Sequence, residues 1–288
     1  MVLVYEWAVK EISKKLISHP LPCPKGRVIV LSNFFLNSSP QKNTTMTQKT
    51  VSEAVQYRRA VRNYDASKPI DTNIVKTCIE QATLAPSSSN MQLWEFHHIV
   101  SDDIKNKIAK YSFNQSAAKT ALEMVVVVTR KDLWRQRRQA NLNYLDAVYG
   151  KKPVSEQSSR EKFAKNYYKN LMPFTYFDIL GILGWAKYIT FWFIGLFRTV
   201  YREVRAKDIH VVAHKSAGLA AQTFMLSMAA CGYDTCPMEG TDTLRIKRLL
   251  KLPYGAEINM VIGCGIRKPE GVYGERFRIP FDEVYKKW

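Results

Sequence analysis

Features that define several common protein classes are missing from this 288-residue chain. Its five cysteines are an odd set with no C-x-x-C pair, which argues against a disulfide scaffold or a zinc ribbon. The N-terminus lacks the uninterrupted apolar run and the small-residue cleavage site of a signal peptide. These absences favour a reducing compartment, and we expect a cytoplasmic protein.

Familiar catalytic motifs are missing too: no G-x-S-x-G, H-E-x-x-H or P-loop occurs. In IGCGIRKPEG a glycine pair follows a strand-like run, but Pro269 stands where a dinucleotide-binding helix would begin. His210 and His214 are four residues apart on a predicted helix. We identify no third ligand for them in that helix and predict no metal site. The lack of a nucleophile or acid–base set fits an enzyme whose cofactor carries the chemistry.

Acidic residues are few beside the basic ones, 25 against 43, which gives a formal net charge of +18. Such a charge attracts anions: nucleic acid, phosphorylated cofactors or anionic lipid. The excess is spread along the chain rather than packed into one block, which weakens the nucleic-acid interpretation. We therefore predict no nucleic-acid partner. A hydrophobic content of 46% indicates a globular protein with a sizeable core.

Residues 1–49 differ from the rest of the chain. An amphipathic pattern closed by Pro20 and Pro22 leads to NSSPQKNTTMTQKT, which has the composition of a linker. We expect this N-terminal extension to be either disordered or not native, with Met1 and Met46 as alternative starts. Residues 50–288 have the composition of one domain.

Helical patterns in this domain outnumber strand patterns. VSEAVQYRRAVRNYD starts as a helix, DTNIVKTCIEQATLA is a second with Asp71 as its N-cap, and others follow at about 131–149, 158–170 and 207–231. LWEFHHIV, EMVVVVT and EINMVIGCG are predicted strands, and the second is apolar enough to be central. Helices and strands do not alternate regularly, which favours an α+β fold.

An apolar insert at about 173–205 differs in composition from the rest of the domain. Its centre, FDILGILGWAKYITFWFIGLF at 177–197, carries only Asp178 and Lys187 as charged residues. The length suits a membrane span, but the central lysine and recurrent glycines argue against one. Two interpretations are favoured over a span. One is a buried or partner-covered hairpin, and the other is an apolar flap that contacts a membrane surface. Its basic flank comprises Arg198, Arg202 and Arg205.

Four polar segments are candidates for binding: YRRAVRNYD, PSSSNMQLW, CPMEGTD and GERFRIP. Guanidinium groups suit phosphate oxygens, and serine and asparagine side chains suit the polar edge of a heterocycle. Taken singly, each also has an ordinary interpretation: a solvated helix end, a loop, a capped turn or an exposed edge strand.

Together and in this order, the segments resemble the FMN-dependent nitroreductase family. RRAVRNYD is similar to the family's R-R-S-x-R-x-F/Y opening, APSSSNMQLWEF to A-P-S-x-x-N-x-Q-P-W-x-F, and CPMEG to its P-x-E-G loop. SFNQSAAKTALEMVVVV and the closing GERFRIPFDEVY also match family segments. The resemblance runs from about Val51 to the C-terminus, with the insert outside the common core.

The resemblance implies a nitroreductase-like fold, with a central mixed β-sheet wrapped by helices, in an intertwined homodimer with FMN sites at the interface. It also implies ping-pong hydride transfer at flavin N5, from NADH or NADPH to nitroaromatic or quinone-type acceptors, with no catalytic side chain. The insert is then expected to be an acceptor-side lid or a peripheral membrane contact through 177–197.

A cofactor-binding set follows from the matched motifs. Arg58, Arg59, Arg276 and Arg278 are implied to hold the FMN phosphate, and Arg62 to lie near flavin N1 and O2. Asn114 is implied at the flavin's polar edge. Pro237, Glu239 and Gly240 are implied on the dimethylbenzene-to-N5 side, and Pro86, Ser87, Ser88 and Asn90 in the other subunit's site. Ala60 stands where many members have serine, which removes one hydroxyl from the site.

Two alternatives stay open at this point. Other flavin chemistry of the same family, reductive dehalogenation or flavin cleavage, would use the same cofactor loops. A non-enzymatic basic protein that binds nucleic acid or membrane would also explain the charge of +18.

Overall fold

The computed structural model describes residues 48–179 and 181–288, so all but the last two residues of the expected extension 1–49 lie outside it. The α-helices are α1 (Val51–Tyr57), α2 (Thr72–Ala82), α3 (Asp102–Tyr111), α4 (Ser116–Lys119), α5 (Trp134–Tyr149), α6 (Ser159–Asn166), α7 (Met172–Tyr176), α8 (Ile182–Ile194), α9 (Ala206–Ala230), α10 (Thr243–Leu249) and α11 (Phe281–Val284). The strands are β1 (Trp94–Ile99), β2 (Glu123–Thr129), β3 (Asp234–Met238) and β4 (Glu257–Gly265). The predicted α+β class is confirmed.

The four strands form one sheet in the order β1-β2-β4-β3, with antiparallel pairing throughout. The sheet was predicted to be mixed, and in the described part of the chain its parallel component is a single bridge between Ala60 and Thr235. Val61 N donates to Thr235 O at 3.2 Å, but the next amide, Arg62 N, turns away to Gly271 O at 2.7 Å. The parallel pairing therefore ends after one bridge.

The central strand β2 is buried on both faces, as its continuous apolar sequence predicts. Met124, Val126 and Val128 pack into a core that includes residues of α3, α4 and α10. Val125 and Val127 pack into a second core formed mainly with α2 and α9. The helices therefore cover both faces of the sheet.

Helix ends are set by local sequence. Asp71 accepts a hydrogen bond from Asn73 N at 2.8 Å and caps α2, as predicted. Asp242 caps α10 in the same way, through Arg245 N at 3.0 Å. At α1, the helix ends at Tyr57 and Arg58 leaves it in a non-helical conformation (φ −59°, ψ 123°). The arginine segment that follows is therefore presented from a helix end rather than along a helix face.

The insert adds α7 and α8 beside the sheet. Met172 packs with Met91, Leu93 and Ala213 in a third core, which anchors α7 to the domain. Helix α8 lies further out and leaves most of its apolar side chains exposed, so within this chain the segment is not a buried hairpin. In residues 48–179 and 181–288, no helix combines the length and the apolar content needed to cross a bilayer.

Candidate functional site

Arginines from distant parts of the sequence line one cavity of about 300 Å³. Arg58, Arg59 and Arg62 follow α1, whereas Arg276 and Arg278 lie in the tail beyond β4. Ala60 also lines the cavity, and Glu275 is the acidic residue among its lining side chains. The structure therefore brings together the four arginines that the resemblance assigned to the FMN phosphate. Ala60 and Arg62, which it also assigned to the cofactor site, lie in the same cavity.

Hydrogen bonds to backbone carbonyls join the two arginine segments, 58–62 and 276–278. Arg276 Nη2 donates to Gln56 O at 2.8 Å and to Arg58 O at 2.6 Å, and Arg59 Nη2 donates to Gly274 O at 3.0 Å. At Gly271, a Cβ atom would lie 2.4 Å from Asn63 O, so a side chain would push the two segments apart. Carbonyl acceptors hold this geometry without neutralising the guanidinium charges.

The cavity carries a concentrated positive charge. None of its five arginines forms an ion pair with a carboxylate within the described ranges. Burial, and then repulsion from the guanidinium groups of Arg276 and Arg278, lower the pKa of Arg58. A bound phosphate would relieve that repulsion and accept paired N–H donors. The cavity therefore has the positive charge and the N–H donors that an anion requires.

A buried ion pair behind the cavity supports the first arginine segment. Asp234, 2% exposed, accepts from Arg267 N at 2.8 Å and from Arg267 Nε at 2.9 Å. Arg267 Nη2 donates in turn to Tyr57 O at 3.1 Å, at the residue before Arg58. Although burial opposes it, the bond with Asp234 raises the pKa of Arg267. Sequence reasoning missed this pair, and its only signal was an acidic residue at the start of a buried strand.

Two further predicted loops meet near β3. Gln115 Nε2 donates to Gly240 O at 2.9 Å, so this side chain holds the loop that contains Glu239 and Gly240. Asn114, at φ 52°, leaves its own side chain exposed. Pro237 lies in β3, an edge strand of the sheet, where its missing N–H costs no ladder bond. Because Ala60 bridges to Thr235 in the same strand, this loop and the arginine segment share one edge of the sheet.

The serine loop, Pro86–Asn90, lies elsewhere and does not line the arginine cavity. Ser87 Oγ accepts from Gln92 N at 3.1 Å, and Ser88 N donates to Ser216 Oγ of α9 at 3.3 Å. Asn90 Nδ2 donates to Asn141 Oδ1 of α5 at 3.1 Å, so its amide already has a partner within the chain. Within one chain, the structure therefore does not bring Pro86, Ser87, Ser88 and Asn90 together with the arginines.

Ser89, which is not in the set implied by the resemblance, connects this loop to the turn Tyr167–Leu171 just ahead of the insert. Its Oγ lies 2.6 Å from the hydroxyl of Tyr167, and its carbonyl accepts from Tyr168 OH at 3.0 Å. A left-handed conformation (φ 53°) directs both groups toward the π-helical turn that precedes α7. The serine loop is thus fastened to the turn that leads into the insert.

A sequence model of the nitroreductase family matches residues 55–266, more than half of the chain. The chain belongs to the nitroreductase family. Curated relatives span most of both chains: one of Staphylococcus haemolyticus, named as an NAD(P)H nitroreductase, is 26% identical and covers 82% of this chain and 96% of its own. A second, YdgI of Bacillus subtilis with the same kind of name, is 27% identical over 81% and 94%.

Solved structures show that this member has the family's fold. A nitroreductase of Exiguobacterium sibiricum in complex with FMN is 23% identical, with a TM-score of 0.59 over 85% of this chain and 100% of that one. CLA-ER, an enone reductase of gut-bacterial fatty acid saturation, is 17% identical, with a TM-score of 0.59 over 84% and 99%. At these identities the likeness extends to the fold alone.

Proposed function

We propose that the protein is an FMN-dependent oxidoreductase that takes electrons from NADH or NADPH and passes them to a nitroaromatic or quinone-type acceptor. The observation that carries this proposal is the arginine cavity, with five guanidinium groups and a single carboxylate. Family membership and an FMN-bound structural neighbour support the same cofactor. The volume of about 300 Å³ lies at the lower end of the range for small-molecule sites.

The residues present fit the phosphate end of FMN. Arg58, Arg59, Arg276 and Arg278 would bind the phosphate, and Arg62 would place a cation where negative charge develops on the reduced ring. When bound, FMN supplies hydride acceptance and donation at N5, with donor and acceptor reacting in turn. The chain's own groups bind and orient the cofactor, and none is assigned a covalent step.

We also propose a homodimer, because one chain leaves the site incomplete. Pro86, Ser87, Ser88 and Asn90 lie away from the arginine cavity within the chain, as expected if they serve the site of a second copy. Asn114, Pro237, Glu239 and Gly240 would border the ring end of the chain's own site. Ser89 fastens the serine loop to the turn that leads into the insert, which would place the insert on the acceptor side of that second site.

The visible spectrum of the purified protein tests this proposal. We expect a yellow protein whose flavin absorption bleaches on anaerobic addition of NADH or NADPH and returns on addition of a benzoquinone or a nitroaromatic compound. Bleaching without recovery by either acceptor would instead favour another flavin chemistry of the family. A colourless protein that FMN cannot reconstitute, and that binds DNA in a steeply salt-dependent manner, would overturn the proposal.

Helix α8 carries an exposed apolar stripe that bears on the acceptor. The stripe consists of Ile182, Trp185, Ile189, Trp192 and Phe193, each between 46% and 68% exposed. These positions recur at helical spacing, so they lie along one side of α8. Its basic flank includes Arg202 and Arg205, and Arg205 lies over the rings of Trp185 and Tyr188.

We propose that this stripe contacts an anionic membrane surface, where lipophilic quinones are held. Exposed tryptophan and aliphatic side chains next to arginines are typical of helices that lie in the interfacial plane. At 13 residues, α8 suits such a position and is too short to span.

Sedimentation with phosphatidylserine-containing vesicles tests the contact. Trp192→Ser combined with Phe193→Ser should weaken vesicle binding at least about 10-fold, because burying one large apolar side chain contributes about 1.5–3 kcal/mol. Tyr254→Ser, at a fully exposed aromatic far along the sequence, is the matched control and should bind like the wild type. If the wild type does not sediment, or the double variant loses its dimer instead, the stripe is not a membrane contact.

A further inference from the structure

Two histidines of α9 and a glutamate of β4 converge at one point. Glu257 Oε2 lies 2.7 Å from His210 Nδ1 and 3.0 Å from His214 Nε2. The three ligand-type atoms all lie within 4.8 Å of one another. Neither the flavin proposal nor the insert uses these side chains, so the cluster needs an explanation of its own.

The spacing is close to what a metal ion requires. Histidines four residues apart share one side of a helix, which is the arrangement of paired ligands in many zinc sites. With bonds of about 2.0–2.1 Å, ligands of a tetrahedral Zn²⁺ site lie about 3.3 Å apart. The separations of 2.7 and 3.0 Å would need to open by only a few tenths of an ångström. The carboxylate between the two imidazoles comes from Glu257, the first residue of β4, because Asp208 of α9 is paired with Arg205 instead.

A fourth residue is placed to orient one of the ligands. Asn259 Nδ2 lies 3.0 Å from His214 Nδ1, while Asn259 Oδ1 is buried without a hydrogen-bond partner. A half-turn of this amide gives up the 3.4 Å bond from Nδ2 to His214 O and brings Oδ1 to Nδ1, so that His214 donates Nδ1–H and keeps a lone pair on Nε2. Histidine ligands in metal sites commonly donate their second N–H in this way.

We propose that His210, His214 and Glu257 bind a divalent transition-metal ion, of which Zn²⁺ is the representative, between α9 and β4. Two imidazoles and one carboxylate match Zn²⁺ and its neighbours, whereas Mg²⁺ and Ca²⁺ prefer oxygen ligands throughout. The side chains of the three ligands are 44%, 25% and 36% exposed, which leaves room for water at the remaining position. The ion joins α9 to β4 just ahead of Ser216, the residue that contacts the serine loop.

Zinc titration of the purified holoprotein, first dialysed against a chelating resin, tests the site. Competition with a chromophoric chelator should reveal one Zn²⁺ per chain. Zinc at about 100 times the dissociation constant should raise the melting temperature by about 5 °C or more. Glu257→Gln and His214→Ala should abolish both effects, and Asn259→Ala should weaken binding about 10–100-fold.

The matched control is His97→Ala, because His97 also faces a carboxylate, that of Glu95 at 3.6 Å, without a second histidine. It should bind zinc like the wild type. Circular dichroism in EDTA identifies any variant that fails to fold, and Asn259→Ala then carries the test alone. If zinc does not raise the melting temperature of the wild type, the three side chains form an ion pair only, and the proposal is overturned. Equal zinc binding by the wild type and Glu257→Gln would also overturn it.

Discussion

Arg58→Met is expected to weaken FMN binding by about 10–100-fold while it leaves riboflavin binding unchanged. A charge-assisted hydrogen bond contributes about 1.5–3 kcal/mol, which corresponds to this range of dissociation constants. Riboflavin lacks the phosphate, so it reports on the rest of the site. Methionine retains most of the apolar stem of arginine and loses only the charged fork. Fluorescence quenching of each flavin by apoprotein gives both affinities.

The same substitution should not destabilise the apoprotein. Burial and three neighbouring arginines disfavour the charge of Arg58, so its removal relieves repulsion. Arg58→Lys keeps a charge but not the paired donors and should fall between the wild type and Arg58→Met. Arg160→Met removes one charge from an exposed position of α6 and is the control for net charge. Equal losses of FMN and riboflavin affinity in Arg58→Met would show that the cavity does not recognise the phosphate.

Asp234→Ala is expected to lower the free energy of unfolding by about 3–5 kcal/mol, because it leaves Arg267 half-buried without its counterion. Asp234 accepts from both the backbone and the side chain of Arg267, so a single substitution leaves both of these donors without their carboxylate acceptor. Denaturant unfolding of the apoprotein measures the change. Because Arg267 also holds the carbonyl of Tyr57, FMN affinity should fall in the same variant.

Lys107→Ala provides the contrast for this ion pair. Lys107 and Asp103 form an exposed pair one turn apart on α3, with side chains 48% and 68% exposed. Its loss should cost less than about 1 kcal/mol. Similar costs for Asp234→Ala and Lys107→Ala would contradict a supporting role for the buried pair. Rescue of Asp234→Ala by adding Arg267→Met would support that role, since the unpaired charge is then removed.

Local patterns were sufficient to predict much of the fold. The cap at Asp71 and the buried strand β2 each depend on residues within one or two turns of one another. The four-residue spacing of His210 and His214 was equally visible in the sequence. What the spacing could not show was Glu257, which is 43 residues further on and is brought to His214 by the pairing of β4.

Composition and periodicity could not predict which residues distant in sequence lie together in the folded chain. Arg58 and Arg276 are 218 residues apart, and only the resemblance placed them in one site. The mixed sheet was expected from the same resemblance, whereas in the described strands the one parallel bridge is at Ala60. The contacts of Ser89 were not predicted, because nothing in the sequence of the serine loop indicates that Tyr167 and Tyr168 lie against it. Their positions depend on how the insert packs.

Because the two arginine segments lie far apart along the chain, they are synthesised at different times. Arg276 leaves the ribosome 218 residues after Arg58, which at about 5–20 residues per second is a delay of roughly 10–40 s. By then every strand of the sheet and the whole of α9 have been made. The anion cavity is therefore completed only after its first arginine segment and the four described strands have been made, and a chain truncated before Arg276 would lack two of the five arginines that line it.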